Sequence, residues 1–408
     1  MSALSGIKVL DLSRVLAGPY CSQTLADLGA TVWKIEPFWG DETRAWGPPF
    51  IVAQEGGGYE LSDRGESAYY LSVNRNKQSL ALNLKDPQGQ AIIKELSLKA
   101  DVFLENYKVG DLARYGLDYA SLSQLNPRLV YGSITGFGQT GPRAKEAGYD
   151  AALQGYTGIM SVTGEVDGEP MKVGVAWIDI LTGMTMSQAI LAALFAREKS
   201  GLGQHLDIAL FDVGLHAMAN LAQSYLLTAK APMRRGNSHA QIVPYGSFAV
   251  KDGYIVLAIG NDGQFQKFCQ VIGRPELWED ERFKSNAARV RHREILLEML
   301  GEVLLSRGRG EWLEHFQTAN IPCAPVNNLA EAFADPQALA RGLRQNIHHP
   351  DFGEVPLIGS ALQHLSQTPA HIQSPPPRLG EHSDKILKEV LGLSQAEIDH
   401  LRQAEVIL

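Results

Sequence analysis

The stretch LSGIKVLDLSRVLAGPYCSQTLADLGATVWKIEP, residues 4–37, predicts the class of fold. GIKVLDL (6–12) is a short apolar run typical of a strand, and PYCSQTLADLG (19–29) is a helical segment that Gly29 would end. ATVWKIE (30–36) is a second apolar strand. A strand, a helix and a second strand in succession form a βαβ unit, so the chain begins as an α/β protein.

The same alternation continues to about residue 212. Further helices are predicted at 87–100, where Pro87 opens the first turn, at 118–127 and at 182–201. Further strands are predicted at 101–106, 128–135 and 203–212. Repeated βαβ units with apolar strands indicate a parallel sheet that is covered on both faces.

The pattern changes near residue 230. YGSFAVKDGYIVLAIG (245–260) contains two β runs around Asp252-Gly253, a strong hairpin signal, and three helical segments follow it. The segments after about residue 327 look like a return to the first domain. We therefore expect a large domain of residues 1–225 and 327–408, with a smaller α+β domain, 226–326, inserted into it.

Composition excludes several classes of protein. The chain has 408 residues, 45% of them apolar and 20% charged, which is typical of an ordinary globular protein. A net charge of −8 argues against a nucleic-acid binder. We see no apolar run of about 18 to 20 residues and no signal peptide, so we expect a cytoplasmic protein that does not cross a membrane. Cys21, Cys269 and Cys323 are widely spaced and form no CxxC pair, so neither disulfides nor a metal site is indicated.

An aspartate stands in an unusual place in VGVAWIDILTGM, residues 173–184. Asp179 is surrounded by apolar residues, and no basic residue follows Lys172 until Arg197. It is either the N-cap of the helix predicted from residue 182 or a reactive group, and Thr182 could fill the capping role instead. As a reactive carboxylate it cannot be deeply buried without a partner, and we expect the helix start and nearby amides to keep it ionised.

GFGQTG (136–141) matches the G-x-G-x-x-G pattern of dinucleotide sites and follows a predicted strand. Pro142 and Gly148 disrupt the helix that such a site needs, and the motif does not lie in the first βαβ unit. Two other interpretations stay open: a glycine loop whose amides approach a ligand, and a tight connection.

Several segments of the chain resemble class III CoA-transferases, the family of formyl-CoA transferase and carnitine CoA-transferase. The resemblance covers essentially the whole chain in order: residues 4–37, NRNKQSLALNLKDPQG (74–89), residues 101–142, DILTGMTMSQAILAALFAREKSGLGQHLDIALFD (179–212) and PPPRLGEHSDKIL (375–387). RRGNSHAQIVPYGSFAVKDGYIVLAIGNDGQF (234–265) is most similar to the branch that uses succinyl-CoA and dicarboxylates such as glutarate, itaconate or malate.

The resemblance implies a fold and a reaction. The fold has a Rossmann-like large domain built from both ends of the chain, and two chains interlock as rings in a homodimer. The enzyme would move CoA from an acyl-CoA, expected to be succinyl-CoA, to a free acid, expected to be a dicarboxylate. The route would pass through an aspartyl mixed anhydride and an aspartyl-CoA thioester. CoA is a substrate here, and no permanently bound cofactor is expected.

The resemblance also implies site residues. Asp179 matches the catalytic aspartate. The residues expected to contact CoA are Val15, Leu16 and Ala17 at the pantetheine, Leu82, Lys85, Asn106, Tyr107 and Lys108 near the nucleotide, Arg114 at the phosphates, and Thr135, Gly136, Phe137 and Gly138 along the pantetheine arm. Arg114 suits a phosphate because a guanidinium binds it in a fork.

The chain departs from the family pattern at several positions. Leu16 replaces a glutamine of the oxalate-using members, which disfavours oxalate and formate as substrates. Pro37 and Thr135 each replace a basic residue near CoA. The glycine-rich flap has no clear match, although GNDGQ (260–264) is a possible substitute.

Two other functions fit the same family of folds. An α-methylacyl-CoA racemase needs a second base, and its histidine position holds Tyr149 here; an ordinary tyrosine titrates near ~10, so it accepts protons poorly. His216 or His239 could substitute only if the fold brought one of them close. The second alternative is a CoA-ester-binding protein without chemistry.

A basic cluster suggests how a dicarboxylate could be chosen. Arg234, Arg235 and His239 lie in PMRRGNSHA, just before the predicted hairpin. They could hold the distal carboxylate of the acid, or they could form a solvated basic turn.

Overall fold

The computed structural model describes residues 2–408. Its strands are β1 (Lys8–Asp11), β2 (Thr31–Glu36), β3 (Phe50–Ala53), β4 (Tyr59–Ser62), β5 (Glu66–Ser67), β6 (Lys77–Ala81), β7 (Val102–Glu105), β8 (Val130–Thr135), β9 (His205–Ala209), β10 (Tyr245–Val250), β11 (Gly253–Ala258), β12 (Cys323–Pro325), β13 (Arg344–His349) and β14 (Gly353–Ile358).

The α-helices are α1 (Ala17–Asp27), α2 (Ala68–Val73), α3 (Pro87–Lys99), α4 (Tyr119–Leu125), α5 (Asp150–Tyr156), α6 (Ile159–Val162), α7 (Trp177–Ser200), α8 (Leu210–Ala217), α9 (Ala219–Thr228), α10 (Asp262–Val271), α11 (Glu276–Glu279), α12 (Asn286–Arg291), α13 (Arg293–Leu304), α14 (Arg309–Thr318), α15 (Leu329–Ala334), α16 (Pro336–Ala340), α17 (Ser383–Leu391) and α18 (Gln395–Gln403). Short 3₁₀ helices span Glu42–Ala45 and Leu112–Tyr115.

The main sheet has six parallel strands in the order β6-β2-β1-β7-β8-β9. Counted along the chain, this is the order 3-2-1-4-5-6 of an open doubly wound sheet. The direction of winding reverses between β1 and β7, which are neighbours with Val9 opposite Val102. The carboxyl ends of these two strands therefore border the crevice where such sheets bind ligands.

The two faces of this sheet are covered by different helices. Phe103 belongs to a buried cluster with α3 and α17. On the other face, a Cβ added at Gly132 would lie 2.9 Å from the sulfur of Met186 in α7, so that helix packs directly on the strand backbone. The predicted parallel sheet covered on both faces is confirmed.

Contacts divide the chain into two compact units. The first contains residues 1–158, 173–223 and 336–408, and the second contains residues 159–172 and 224–335. The predicted boundaries differ from these in three places. Residues 159–172 group with the second unit, the second unit resumes at 224 rather than 226, and the return to the first unit comes at 336 rather than 327.

The second unit has its own core. β10, β11 and β12 form an antiparallel sheet, and the hairpin predicted around Asp252-Gly253 is present, with Val250 opposite Gly253. Buried aromatic residues of α10 and α14, among them Phe268 and Phe316, pack in the cluster that this sheet joins. An α+β arrangement is thus confirmed for this region.

Helix α7 is the longest helix of the first unit, and it begins at Trp177, five residues before the predicted start. Within residues 2–408 it is the one helix that is long and apolar enough to cross a membrane, so the statement that no run approaches that length was wrong. Ile178, Met186 and Ile190 are nevertheless fully buried in the protein. α7 is thus a core helix on that side, while its opposite side exposes large apolar residues: Trp177, Met184, Leu191 and Phe195.

Candidate active site

A cavity of about 150 Å³ opens beside the carboxyl ends of β1, β7 and β8. Its lining comes from the loops after these strands, from the segment before α5 and from α7: Arg14, Val15, Leu16, Ala17, Glu42, Asn106, Tyr107, Lys108, Val109, Ile134, Thr135, Gly136, Ala144, Lys145, Glu146, Ala147, Gly148, Tyr149, Asp179 and Leu210. We call it the acyl cavity, because it contains the one acidic residue predicted to react.

Asp179 lies in the first turn of α7 and is partly buried. Burial, together with the nearby charge of Asp150, raises the pKa of its carboxylate from 3.8 to about 7. The expectation that the helix start would keep Asp179 ionised was therefore wrong. The carboxylate is a stronger base than an ordinary one, and about half of it is protonated near pH 7.

The helix start does not offset this burial because of Asp150, the first residue of α5. Its Oδ1 accepts hydrogen bonds from the backbone amides of Ile178, at 2.8 Å, and Asp179, at 3.2 Å. Its Oδ2 accepts a bond of 2.6 Å from the Gln154 side chain. Asp150 thus takes the amides that a helix start offers to an anion, and Asp179 does not receive them. Sequence reasoning missed this residue, although it follows Tyr149 in the GYD segment.

Neither proposed cap of α7 is in the capping position. The residue there is Ala176, which makes no side-chain cap bond, and Asp179 and Thr182 both lie inside the helix. Thr182 is fully buried, and its hydroxyl has no hydrogen-bond partner among residues 2–408. The interpretation of Asp179 as an N-cap was therefore wrong, as was that of Thr182.

The loop between β1 and α1 supplies Val15, Leu16 and Ala17 to the acyl cavity. Val15 has a φ of 70°, a left-handed conformation that is strained for a β-branched residue. Its amide donates to both oxygens of Asp41, at 3.2 and 3.3 Å, and Asp41 is also bonded at 2.9 Å to the buried ammonium of Lys34. Burial disfavours the charge on Asp41, but Lys34 outweighs it and lowers the pKa of Asp41 to about 2. The carboxylate of Asp41 therefore stays ionised and holds the loop between β1 and α1 through the Val15 amide.

The loop after β7 supplies Asn106, Tyr107 and Lys108 to the same cavity. The Asn106 side chain accepts from the amide of Arg14 at 3.0 Å and donates to the Arg14 carbonyl at 2.7 Å. The Tyr107 amide donates to Glu105 at 2.8 Å. These bonds fix the two loops at the winding reversal against each other.

Of the glycine turn after β8, residues 135–138, only the first two residues line the acyl cavity. Thr135 and Gly136 line it, whereas Phe137 packs edge-on against Tyr156 and Gly138 donates its amide to the Thr135 hydroxyl at 2.9 Å. A Cβ at Gly136 would lie 2.7 Å from the Cα of Gly148, so the turn needs glycine for a close backbone approach. No helix begins within this turn, which disfavours the dinucleotide interpretation further.

A second cavity of about 410 Å³, here the nucleotide cavity, lies beside the first. Predicted residues Leu82, Lys85 and Tyr107 line it, together with apolar and polar neighbours: Leu12, Ser13, Arg14, Lys34, Ile35, Glu36, Pro37, Phe38, Trp39, Gly40, Asp41, Glu42, Asn83, Leu84 and Tyr115. Arg114 lines neither cavity. Its side chain is 71% exposed and pairs with Asp111.

Tyr69 is a further residue that the sequence did not indicate. Burial raises the pKa of its phenol to about 12, and the charge of Asp179 adds to the shift. The phenol therefore stays protonated and lies within electrostatic reach of the proposed nucleophile. Its ring meets that of Trp46 edge-on, with the centroids 5.2 Å apart.

The basic cluster lies in the second unit. Arg234 donates to the carbonyls of Glu165, at 3.1 Å, and Gly168, at 2.7 Å, so its guanidinium braces a turn. The Nδ1 of His239 accepts from the amide of Gln241 at 3.0 Å. Burial lowers the pKa of Arg293, and the positive charge of Arg235 also lowers it.

Comparisons with known proteins agree with the geometry. A family model described as CoA-transferase family III matches residues 4–383. The chain is 46% identical to succinate–glutarate CoA-transferase of Agrobacterium fabrum, covering 95% of each chain. It is 42% identical to succinyl-CoA:glutarate CoA-transferase of Homo sapiens, covering 99% of this chain and 90% of that protein. The crystal structure of a CAIB/BAIF family protein from Brucella suis superposes with a TM-score of 0.83 at 44% identity, covering 95% of this chain and 99% of that one.

Proposed function

The chain belongs to CoA-transferase family III, and from this membership we propose that it transfers CoA from succinyl-CoA to glutarate. The observation that carries the proposal is Asp179, a partly buried carboxylate with a pKa near 7 that lines a cavity at the winding reversal of the sheet. The names of two relatives, both at more than 40% identity over nearly the full chain, support the choice of donor and acceptor.

The first half-reaction transfers CoA to the enzyme. The Asp179 carboxylate attacks the thioester carbonyl of succinyl-CoA, the C–S bond breaks, and CoA leaves as a thiolate while a succinyl-aspartyl anhydride remains. The thiolate then attacks the aspartyl carbonyl of this anhydride. Succinate departs, and Asp179 carries CoA as a thioester.

The second half-reaction repeats these steps in reverse order. A carboxylate of glutarate attacks the aspartyl thioester, which releases the CoA thiolate and forms a glutaryl-aspartyl anhydride. Attack of the thiolate on the glutaryl carbonyl yields glutaryl-CoA and regenerates Asp179. Partial burial protects both anhydrides from water, and the raised pKa makes the carboxylate a better nucleophile. Tyr69, whose pKa responds to the charge of Asp179, would stay protonated and would donate a hydrogen bond to an oxygen that gains charge.

We propose that CoA spans both cavities. Leu82 and Lys85 would border the nucleotide, while Asn106, Tyr107 and Lys108 form the passage. Val15, Leu16, Ala17 and the turn Thr135–Gly138 would border the pantetheine arm. Arg114 remains a proposed phosphate contact at the exposed edge, and Arg234, Arg235 and His239 remain proposed contacts for the distal carboxylate of the acid.

We also propose a homodimer of interlocked rings with a Rossmann-like large domain. The strand order of the main sheet supports the Rossmann-like large domain. The exposed apolar side of α7 supports the homodimer, because one chain leaves Trp177, Leu191 and Phe195 in contact with solvent.

The test is a transfer assay with succinyl-CoA and a panel of acids that includes glutarate, itaconate and malate, with CoA products separated by chromatography. Wild type should form glutaryl-CoA, and Asp179→Asn should form none while still binding CoA. Hydroxylamine added during turnover should convert Asp179 to a hydroxamate, which changes the mass of its peptide. Undiminished transfer by Asp179→Asn would refute the mechanism.

The racemase alternative predicts exchange of the α-proton of an acyl-CoA instead. Within residues 2–408, no histidine lines the acyl cavity, and the position next to Asp150 holds Tyr149. The assay above separates the two functions, because exchange without transfer would indicate the racemase.

A further inference from the structure

The two cavities share part of their lining. Arg14, Glu42 and Tyr107 border both the acyl cavity and the nucleotide cavity, and among residues 2–408 Arg14 is the one cation that does so. Lys108 and Lys145 border only the first, and Lys34 and Lys85 border only the second. Arg14 therefore marks the passage between the two cavities.

Arg14 is held at this passage by two contacts. Its guanidinium forms an ion pair with Glu42 and lies over the ring of Tyr107, with 5.6 Å from the Cζ atom to the centroid. The two side chains of the ion pair are 44% and 37% exposed, so water screens the pair and weakens it. The backbone of Arg14 is fixed independently, by its two bonds to the Asn106 side chain. The guanidinium can thus change partner without any movement of the loop.

We propose that Arg14 binds the diphosphate of CoA and that Glu42 is the partner it leaves when CoA enters. This inference rests on the proposed function. CoA carries its diphosphate between the adenosine and the pantetheine arm. A ligand with its nucleotide in the larger cavity and its thioester beside Asp179 therefore brings the diphosphate to the shared lining. A guanidinium binds two phosphate oxygens in a fork, more strongly than an exposed carboxylate binds it.

Glu42 then acts as a selectivity device. A neutral thioester offers Arg14 nothing in exchange for Glu42, so the ion pair stays closed across the passage. A diphosphate displaces the carboxylate, and this exchange favours CoA esters over simple thioesters.

Two variants should change the affinity for CoA in opposite directions. Arg14→Gln should weaken the binding of CoA, measured by calorimetry, about tenfold or more, because a charge-assisted bond is lost. Glu42→Gln should tighten it by a few-fold, since the competing ion pair is gone. Arg128→Gln is the matched control: Arg128 forms a comparable exposed pair with Glu198, at 3.7 Å, and lines neither cavity, so binding should not change. Arg114→Gln, measured alongside, compares the two arginines directly.

The ligand series identifies which phosphate Arg14 meets. Dephospho-CoA keeps the diphosphate and lacks the 3′-phosphate, so Arg14→Gln should lose as much affinity for it as for CoA. With succinyl-pantetheine, which has no phosphate, Arg14→Gln should show no loss of kcat/KM relative to wild type, and the removal of the closed ion pair should if anything raise it. The assignment of Arg14 to the diphosphate would be overturned if Arg14→Gln lost no affinity for dephospho-CoA. It would also be overturned if the variant lost kcat/KM with succinyl-pantetheine.

The failure of this inference can be told apart from failure of the proposed function. If wild type binds CoA but transfers none to glutarate, the proposed function fails while the binding comparison still stands. If wild type transfers CoA and Arg14→Gln binds CoA as tightly as wild type, Arg14 and Glu42 form only a surface ion pair and the inference fails. Unchanged or weaker binding by Glu42→Gln would refute its role as the displaced partner.

Discussion

The backbone amide of Asp179 donates a hydrogen bond of 3.2 Å to the carboxylate of Asp150, so one acid occupies the helix start beside the other. A helix start stabilises an anion, and here that stabilisation goes to Asp150. Asp179 does not receive it, and burial together with the repulsion from Asp150 raises the pKa of Asp179 to about 7. At the start of α7, Asp150 thus has a structural role, and Asp179, the proposed nucleophile, has the raised pKa.

Asp150→Asn should therefore shift the pH dependence of the reaction. Asparagine keeps an oxygen that can accept the two amide bonds, but it removes the charge that helps raise the pKa of Asp179. That pKa should fall, and the acid limb of kcat/KM should move to lower pH. The rate on the plateau should drop, roughly two- to tenfold, because a weaker base is a weaker nucleophile. Asp399→Asn on α18 controls for net charge. An acid limb in the same place as that of wild type would contradict the role of Asp150.

Asp179→Asn should make the protein more stable while it abolishes transfer. The folded pKa of about 7 exceeds the value of 3.8 for a free carboxylate, so the folded state binds more protons between these pH values. Wild type therefore loses stability as the pH rises from about 4 to about 7, and asparagine does not. At pH 8 the variant should unfold at a higher urea concentration, with a gain of roughly 1 to 4 kcal/mol. The gain should disappear near pH 4, and an equal gain at both pH values would point to another cause.

Arg235→Ala should penalise a dicarboxylate more than a monocarboxylate. If Arg235 holds the distal carboxylate, the KM for glutarate should rise about tenfold while that for pentanoate changes little. Arg234→Ala is a poorer probe, because its guanidinium also braces the carbonyls of Glu165 and Gly168. Arg282→Ala, whose exposed guanidinium pairs with Asp280, controls for loss of charge in the same unit. Equal effects on both acids would remove Arg235 from the specificity argument.

The proposed homodimer should persist at nanomolar concentration, since interlocked rings would separate only when a chain opens. Leu191→Glu together with Phe195→Glu places charge on the exposed apolar side of α7 and should yield a monomer in sedimentation experiments. Glu198→Gln, on the same helix, should leave the assembly unchanged. A monomeric wild type at these concentrations would contradict the interlocked arrangement.

The local pattern of apolar residues was sufficient to predict most strands of the main sheet. β1, β2, β7 and β8 are apolar strands next to helices with ordinary start and stop signals, and the structure contains them close to the predicted positions. β6 is different, because its sequence KQSLA is largely polar. It is buried because Lys77 reaches Asp11, at 3.4 Å, and the carbonyl of Pro19, at 3.0 Å. Contacts of that kind depend on residues distant in sequence and leave no periodic signal.

In the candidate site, too, some features could be predicted from local sequence and others depend on distant residues. Its loops follow from the strands, and Asp179 was conspicuous among apolar neighbours. The start of α7 was misplaced because the group that satisfies its amides, Asp150, lies 28 residues earlier in the chain. The φ of 70° at Val15 likewise depends on Asp41, which belongs to another segment. Neither relationship can be read from a local window of sequence.

The two-sided character of α7 has a consequence for how the protein is made. At 24 residues the helix is about 36 Å long, and one side of it leaves the large apolar residues Trp177, Met184, Leu191 and Phe195 exposed in a single chain. If a second chain covers this side, as proposed above, a freshly translated chain carries a surface that invites nonspecific association until that second chain meets it. Yield during expression should depend on how quickly partners find each other, and chaperones that shield apolar segments should act on the newborn chain rather than on the mature enzyme.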